Sequence, residues 1–235
     1  MNDYLKFFLN EIPHEVIDES KQIYQFGKLT IDPDMGIEMF DNKVSLRVKA
    51  KKLARKYGFA IPNELALEEI SSYKNIMEFG AGTGYWASLL RKRNVKVICF
   101  DIAPIKNELK NRYGFNHQHT HVNNLTNSNQ IIKSRADKFS LFLCWPCRHS
   151  SWSLDTTKKY IEAGGKRVIY VGDYEYNKEH PICIEDDQKP VTGTDELHQF
   201  FTNEFKLVKK IDIPHFENIR DALYIFEIKD HMKHV

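Results

Sequence analysis

The residues best suited to chemistry in this sequence form a glycine-rich segment after a short apolar run. Residues 78–84 read EFGAGTG, and Asp101 ends the next apolar run along the chain. Glycines permit a sharp turn with positive φ and a close approach of the backbone to a ligand. A carboxylate at the end of the following strand can accept hydrogen bonds from both hydroxyls of a ribose. The spacing therefore predicts a site for a ligand that contains a nucleoside.

Two cofactor classes use such a loop, dinucleotides and S-adenosylmethionine (SAM). Residues 82–87 read GTGYWA and satisfy the dinucleotide pattern G-x-G-x-x-A. In a dinucleotide site the first of these glycines follows the strand at once, whereas Gly80 and Ala81 intervene here. Glu78 would repel a pyrophosphate, but it suits the ammonium group of SAM. The residues favour SAM, with a dinucleotide site and a structural loop without a ligand as the alternatives.

The elements that must position this loop follow a regular alternation of apolar and amphipathic stretches. The pattern predicts strands over residues 75–79, 95–100, 118–122, 139–144 and 167–171, and helices over 85–93 and 104–113. Such alternation indicates right-handed βαβ crossovers and a parallel sheet covered on both faces. Two further strand-like runs, 205–213 and 222–228, leave no room for a helix between them, so we expect them to pair antiparallel. The predicted fold is α/β, with a Rossmann-like, mostly parallel sheet closed by an antiparallel C-terminal hairpin.

The first 70 residues lack this alternation. Residues 46–57 place apolar side chains on one helical face and most of their lysines and arginines on the other. Pro62 stands at the start of a second predicted helix over 63–70, a favourable position for proline. Residues 1–45 are expected to be irregular or partly helical. We therefore predict a largely helical N-terminal cap over residues 1–70 and a SAM-binding Rossmann-like domain over residues 71–235.

Composition and charge set broad limits on function. The chain has 235 residues, 42% of them hydrophobic, and a formal net charge of +2. A charge so close to balance indicates neither a nucleic acid nor a membrane as partner. Four cysteines do not make a disulfide scaffold in a chain of this length. No apolar run approaches the ~20 residues that cross a bilayer, and the N-terminus lacks the features of a signal peptide. We expect a soluble, cytoplasmic protein.

Together with their neighbours, these segments resemble class I SAM-dependent methyltransferases. The resemblance is carried by YGFAIPNELAL at 57–67, IMEFGAGTGYW at 76–86, VICFD at 97–101, LFLCWP at 141–146 and VIYVG at 168–172. More narrowly, the chain is similar to a methyltransferase-like family that has an aromatic-Ala-Ile-Pro element before the glycine loop. The resemblance spans about residues 45–228, and it implies this fold, SAM as cofactor and transfer of a methyl group.

The chain departs from that family beside the expected acceptor pocket. The family tends to have Trp-Pro-Pro where this chain has Trp145, Pro146 and Cys147. After the fifth strand the family tends to have Gly-Glu and a short glycine-rich loop, whereas here Gly172 and Asp173 lead into a polar stretch. The resemblance therefore leaves the methyl acceptor open.

The predicted site residues form a cofactor set and a tentative acceptor pocket. In class I methyltransferases the loop after the fourth strand faces the transferable methyl, which the resemblance carries over to Trp145 and Pro146. We expect the cofactor at Glu78, Gly80, Ala81, Gly82, Gly84, Asp101, Ile102 and Asn124, with Asn123 as an alternative to Asn124. We expect the acceptor at Tyr57, Trp86, Trp145, Pro146 and Asp173, and Tyr57 and Phe59 could instead close over SAM. No residue is assigned as the catalytic base, and Asp173, Glu175 and His215 are candidates by position.

Three other patterns have ordinary structural explanations beside a functional one. Cys144 and Cys147 match the redox motif C-x-x-C, but they follow a strand of a fold already assigned to SAM. His117, His119 and His121 alternate as metal ligands on a strand would, yet no carboxylate or cysteine stands at ligand spacing, so no metal is expected. The basic face of residues 47–56 could meet phosphates or simply face solvent.

These observations predict a SAM-dependent methyltransferase that acts on an unidentified acceptor, a small molecule or a protein rather than a nucleic acid. The alternative from another class is a SAM-binding sensor or partner subunit that has lost catalysis, which the altered Trp-Pro-Cys loop suggests. A nucleotide-dependent oxidoreductase is less favoured.

Overall fold

The computed structural model describes residues 1–27, 48–102, 114–174, 192–216 and 219–230. Its helices are α1 (Asp3–Glu11), α2 (described over residues 48–57), α3 (Glu64–Ser72), α4 (Tyr85–Arg91), α5 (Ser128–Arg135), α6 (Trp152–Glu162) and α7 (Asp195–Glu204). Its strands are β1 (His14–Asp18), β2 (Ile23–Phe26), β3 (Asn75–Phe79), β4 (Lys96–Asp101), β5 (Asn123–Asn124), β6 (Ser140–Cys144), β7 (Arg167–Gly172), β8 (Phe205–Asp212), β9 (His215–Phe216) and β10 (Ala222–Ile228). No helix of these segments is long and apolar enough to cross a membrane.

Seven strands form one sheet in the order β5-β4-β3-β6-β7-β10-β8. The first five pair in parallel, and β10 runs antiparallel to both β7 and β8. This arrangement confirms the predicted mostly parallel sheet and its antiparallel closure. Because Phe79 is in register with Phe100 on one side and Leu143 on the other, the segments after β3, β4 and β6 emerge side by side at one edge. Ligands of open α/β sheets bind at this edge.

The two faces of the sheet carry separate apolar cores. Met77 and Phe79 of β3 contribute to the core that also includes Leu197 and Phe201 of α7. Ile76 points to the opposite face, and because side chains alternate along a strand, Glu78 shares that second face with it. The second core contains residues of α3 and α4 and also Tyr4, Leu5 and Phe8 of α1. The N-terminal region thus packs directly on the sheet, on the face that Glu78 occupies.

Within the described residues, the structure differs from the predicted strands and helices in two regions. The third parallel strand is Asn123–Asn124 instead of 118–122, because the preceding segment is tied to other elements: His119 N–H donates to Thr83 O, and Asn116 N–H to Arg55 O. The N-terminal region contains an antiparallel hairpin of β1 and β2, which β9 extends to a three-stranded sheet. The helix predicted over 104–113 lies outside the described residues.

Candidate functional site

The glycine loop turns sharply where β3 ends. Gly80, Gly82 and Gly84 have φ values of 74°, 52° and 70°, in the left-handed region that favours glycine. The N–H groups of Gly80 and Ala81 both donate to the carbonyl oxygen of Phe100, at 2.9 and 3.0 Å. Gly84 is the N-cap of α4. The loop is therefore held against the end of β4, as the sequence predicts.

Asp101 lies directly against this loop. Its Oδ2 accepts a hydrogen bond from the Gly82 N–H at 2.8 Å, and the residue is half-buried. The next residue, Ile102, is a large apolar side chain that is 78% exposed. Asn124 is in register with Asp101 across β4 and β5, and its Oδ1 accepts from the backbone N–H of Thr126 at 3.1 Å. The structure thus brings Asp101, Ile102 and Asn124 together beside the glycine loop.

Glu78 is a carboxylate in the apolar interior below the loop. The residue is 1% exposed, and its Oε2 has no hydrogen-bond partner among the described residues. Burial raises its pKa to about 8, an effect that the nearby Arg91 opposes and Asp101 reinforces. The Arg91 guanidinium donates instead to Thr120 Oγ1 and to the carbonyl oxygen of Val97. A buried carboxylate left with an unsatisfied oxygen is costly, and a cationic ligand would offset that cost.

Two aromatic rings pack against the glycines. A Cβ atom on Gly80 would lie 2.8 Å from Cη2 of Trp152, and one on Gly82 would lie 2.9 Å from Cε2 of Phe115. Both distances are too short for a side chain to be accepted without movement. The glycines are therefore required by close packing within the protein as well as by their φ values.

Trp145 follows β6 and lies at the same edge of the sheet. It has a φ of 52°, an uncommon value for a bulky residue. Three interactions hold it there: its backbone N–H donates to Val171 O at 2.8 Å, its indole stacks on Phe59 with centroids 4.9 Å apart, and Nε1 donates to Asp221 Oδ2 at 2.7 Å. Pro146 is buried, and its carbonyl oxygen accepts from the Gly193 N–H at 2.8 Å.

A buried polar network holds the segment after β7. The Asp173 N–H donates to Thr192 Oγ1 at 2.8 Å. The Tyr170 hydroxyl forms hydrogen bonds with Thr192 Oγ1 at 2.8 Å and with His198 Nε2 at 3.0 Å. Burial lowers the pKa of His198 to about 4, so its ring is neutral at pH 7. This network places Asp173 near Asp221, whose pKa it raises.

Asp221 is a buried acidic residue beside Trp145 for which the sequence predicts no role. It immediately precedes β10, is 3% exposed, and has no hydrogen-bond partner for Oδ1 in the described parts of the chain. Burial raises its pKa to about 7, the hydrogen bond from Trp145 opposes that change, and Asp173 adds to it. Its one signal in the sequence is its position directly before the predicted strand over residues 222–228.

Two residues of the predicted acceptor pocket lie in the core instead. Tyr57 is 3% exposed and stacks on Tyr4 and His119, with centroids 4.7 and 5.3 Å apart. Trp86 is also buried: its Nε1 donates to Ala60 O at 3.3 Å and its ring meets Phe142 edge-on. Both side chains point from α2 and α4 into the apolar interior, where their rings are covered. The aromatic residue beside Trp145 is Phe59.

The other sequence candidates have separate positions. His215 lies on β9, where its Nδ1 is 3.0 Å from Phe216 O, and Glu175 is outside the described residues. Cys144 and Cys147 are free thiols, and burial raises the pKa of Cys144 well above its usual range, which disfavours a reactive thiolate.

The alternating histidines and the basic helix face also have structural explanations. His119 Nε2 lies 2.7 Å from Lys56 O, and His121 Nε2 lies 3.2 Å from Asn123 Oδ1. Within the described ranges, no group of three or more histidine, cysteine or acidic side chains could hold a metal ion. Lys51, Lys52 and Arg55 of α2 are exposed; Arg47 is outside the described residues.

The sheet order, the glycine loop after β3 and the Asp101 carboxylate at the end of β4 define a Rossmann-like fold of the class I methyltransferase type. A family model described as a methyltransferase domain matches residues 49–152. This part of the chain is therefore similar to methyltransferase domains. No curated protein matches the sequence.

Several solved structures are similar to this one. A magnesium protoporphyrin IX methyltransferase from Synechocystis with bound SAM is 9% identical, with a TM-score of 0.42 over 86% of this chain and 87% of that chain. The N-methyltransferase NodS from Bradyrhizobium japonicum is 11% identical, with a TM-score of 0.40 over 71% and 85%. A Burkholderia thailandensis 1,6-didemethyltoxoflavin-N1-methyltransferase is 13% identical, with a TM-score of 0.39 over 92% and 99%.

Proposed function

We propose that this protein is a SAM-dependent methyltransferase whose acceptor enters beside Trp145 and is a small molecule or a protein side chain. The observation that carries the proposal is the buried Glu78 carboxylate, with its unpartnered Oε2, below a glycine loop in a matched methyltransferase domain. A pyrophosphate would gain nothing from Glu78 in its protonated form, whereas the ammonium group of SAM would favour the ionised carboxylate and neutralise it.

The residues around the loop fit the rest of that cofactor. We assign the ribose to Asp101, which lies against the loop, and the exposed Ile102 offers an apolar surface that a flat adenine would cover. Asn124 borders the same space. Bound SAM would supply an electrophilic methyl group on a sulfonium. The protein would have to align the acceptor with that methyl and keep water out, and the Phe59–Trp145 stack is placed for both tasks.

Electrostatics support a compact acceptor over a nucleic acid. Three acidic residues, Glu78, Asp173 and Asp221, border the edge where the cofactor and acceptor would meet. Nucleic-acid binding requires neutralisation of backbone phosphates by cationic side chains. Acidic groups at this edge would not neutralise a phosphate, and they suit an uncharged or cationic group.

The test is transfer of label from tritiated methyl-SAM into fractionated small molecules, protein and RNA of the host. With SAM held near its wild-type Kd, we expect label in the small-molecule or the protein fraction with the wild-type protein, and far less with Glu78→Gln. Asp137→Asn, a change of an exposed carboxylate to its amide, is the matched control and should transfer label normally. Label in RNA alone would overturn the proposed acceptor class. SAM binding with no label in any fraction would favour a non-catalytic SAM sensor.

A further inference from the structure

The acceptor side of the site contains a second buried carboxylate with an unused oxygen. Asp221 Oδ2 accepts the hydrogen bond from Trp145 Nε1 at 2.7 Å, while Oδ1 has no partner within the described chain. A carboxylate buried to this extent is destabilising unless each oxygen has a donor. The sheet ends place Asp221 beside Trp145, because Ala222 is in register with Gly172, the last residue of β7.

We propose that Asp221 and Trp145 form the acceptor-binding subsite, and that the acceptor presents an amine nitrogen to Asp221 Oδ1. This inference rests on the proposed methyltransferase function and names the class of acceptor that the enzyme methylates.

The chemistry of the subsite favours an amine over an alcohol or a thiol. A neutral hydroxyl would satisfy Oδ1 but would leave the buried negative charge uncompensated, whereas an ammonium group would do both. The indole of Trp145, stacked on Phe59, provides an aromatic surface, and aromatic faces attract cations. The neighbouring Asp173 adds negative potential. A carboxylate with aromatic neighbours is a recognition site for a cationic or N–H-bearing group.

The same residue is placed to take the proton that methyl transfer releases. An ammonium bound at Oδ1 passes one proton to the Asp221 carboxylate and becomes a neutral amine. The nitrogen lone pair then forms the bond to the methyl carbon as the carbon–sulfur bond breaks, and that electron pair stays on sulfur. The positive charge passes from sulfur to the methylated nitrogen, so charge balances.

The groups around Asp221 agree with this role. Trp145 donates to it from the end of β6, and Asp173 faces it from the end of β7. Cys144, Tyr170 and Tyr4 also lie within electrostatic range, and burial holds the pKa of each well above its ordinary value, so these three are neutral at pH 7. With its pKa near 7, Asp221 can both accept and release a proton at neutral pH.

The experiment is a ligand-observed NMR screen of the wild-type protein, loaded with S-adenosylhomocysteine, against aromatic fragments in matched pairs. Each pair contains an amine and the corresponding alcohol, for example benzylamine and benzyl alcohol. We expect amines to bind and their alcohols to bind at least ~10-fold more weakly, about 1.4 kcal/mol. Equal binding within pairs, or no binding by any amine, would overturn the proposal.

Variants then separate this inference from the proposed function. In Asp221→Asn the side-chain amide oxygen can still accept the hydrogen bond from Trp145. The amide NH2 group, which is a donor, then takes the position of Oδ1. Amine binding should be lost while SAM affinity changes less than ~3-fold, and Asp137→Asn should change neither. Glu78→Gln should weaken SAM binding but not amine binding. Amine binding that survives Asp221→Asn would refute the subsite, whereas wild-type protein that does not bind SAM would refute the methyltransferase itself.

Discussion

Replacing Glu78 with glutamine should stabilise the protein free of SAM and weaken its binding of SAM. The change removes a negative charge from a residue that is 1% exposed and leaves its size nearly the same. Because folding raises the pKa of Glu78 from 4.5 to about 8, the folded protein holds a proton that the unfolded chain releases. Its stability must therefore fall as the pH rises from 4.5 to about 8.

The magnitude follows from the pKa. At about 1.4 kcal/mol per pKa unit, full ionisation of Glu78 opposes folding by about 5 kcal/mol, and about 3 kcal/mol of this develops between pH 5.5 and 8. The glutamine does not ionise. The difference in unfolding free energy, Glu78→Gln minus wild type, should therefore grow by about 3 kcal/mol over that range. Asp221 and His198 titrate in both proteins, so their contributions cancel.

The assay is urea unfolding at pH 5.5 and pH 8 without SAM, followed by circular dichroism. Asp137→Asn is the control, and its difference from wild type should stay within ~0.5 kcal/mol at both pH values. A difference between Glu78→Gln and wild type that does not change with pH would show that Glu78 is paired or solvated, and would remove the main reason to assign it to the SAM ammonium.

Three further predictions concern the same edge of the sheet. SAM binding should release a proton near pH 7, because the ammonium lowers the pKa of Glu78, and calorimetry in buffers of different ionisation enthalpy should detect this release in wild type but not in Glu78→Gln. Gly82→Ala should destabilise the protein by about 1–3 kcal/mol, because residue 82 has a φ of 52° and the new Cβ would lie 2.9 Å from the Phe115 ring. Thermal unfolding measures this loss of stability, and an unchanged Tm would contradict the prediction. Benzylamine binding should strengthen with pH up to about 7 as Asp221 ionises. Trp145→Phe removes the hydrogen-bond donor that lowers the pKa of Asp221, so it should move this rise in binding to higher pH. A binding profile that does not move would contradict the assignment.

The positions of the glycine loop and of Asp101 could be predicted because their signals are local. The three glycines mark a turn, and the apolar run before Asp101 marks a strand in parallel with the one before the loop. Adjacent parallel strands end at one edge, so Asp101 had to lie near the loop, and the bond from Gly82 N–H bears this out. The antiparallel closure was also predictable, because the connection between the last two long strands is too short for a crossover helix.

The acceptor side depends on tertiary packing, which spacing does not reveal. Tyr57 and Trp86 are aromatic and belong to the helices α2 and α4, but these helices turn them toward α1 and the sheet. Asp221 reaches Trp145 across 76 positions of the chain, and its chemistry comes from burial between three strand ends. The Trp145 backbone, with its positive φ, likewise depends on bonds to other elements.

The most direct test of the account is a calorimetric titration of the protein with SAM, with NAD and Glu78→Gln as comparisons. We expect SAM to bind with a Kd below about 100 μM, NAD not to bind, and Glu78→Gln to weaken SAM binding by at least ~30-fold. No binding of SAM at ~100 μM, or binding of NAD in its place, would contradict the assignment of the glycine loop and of Glu78.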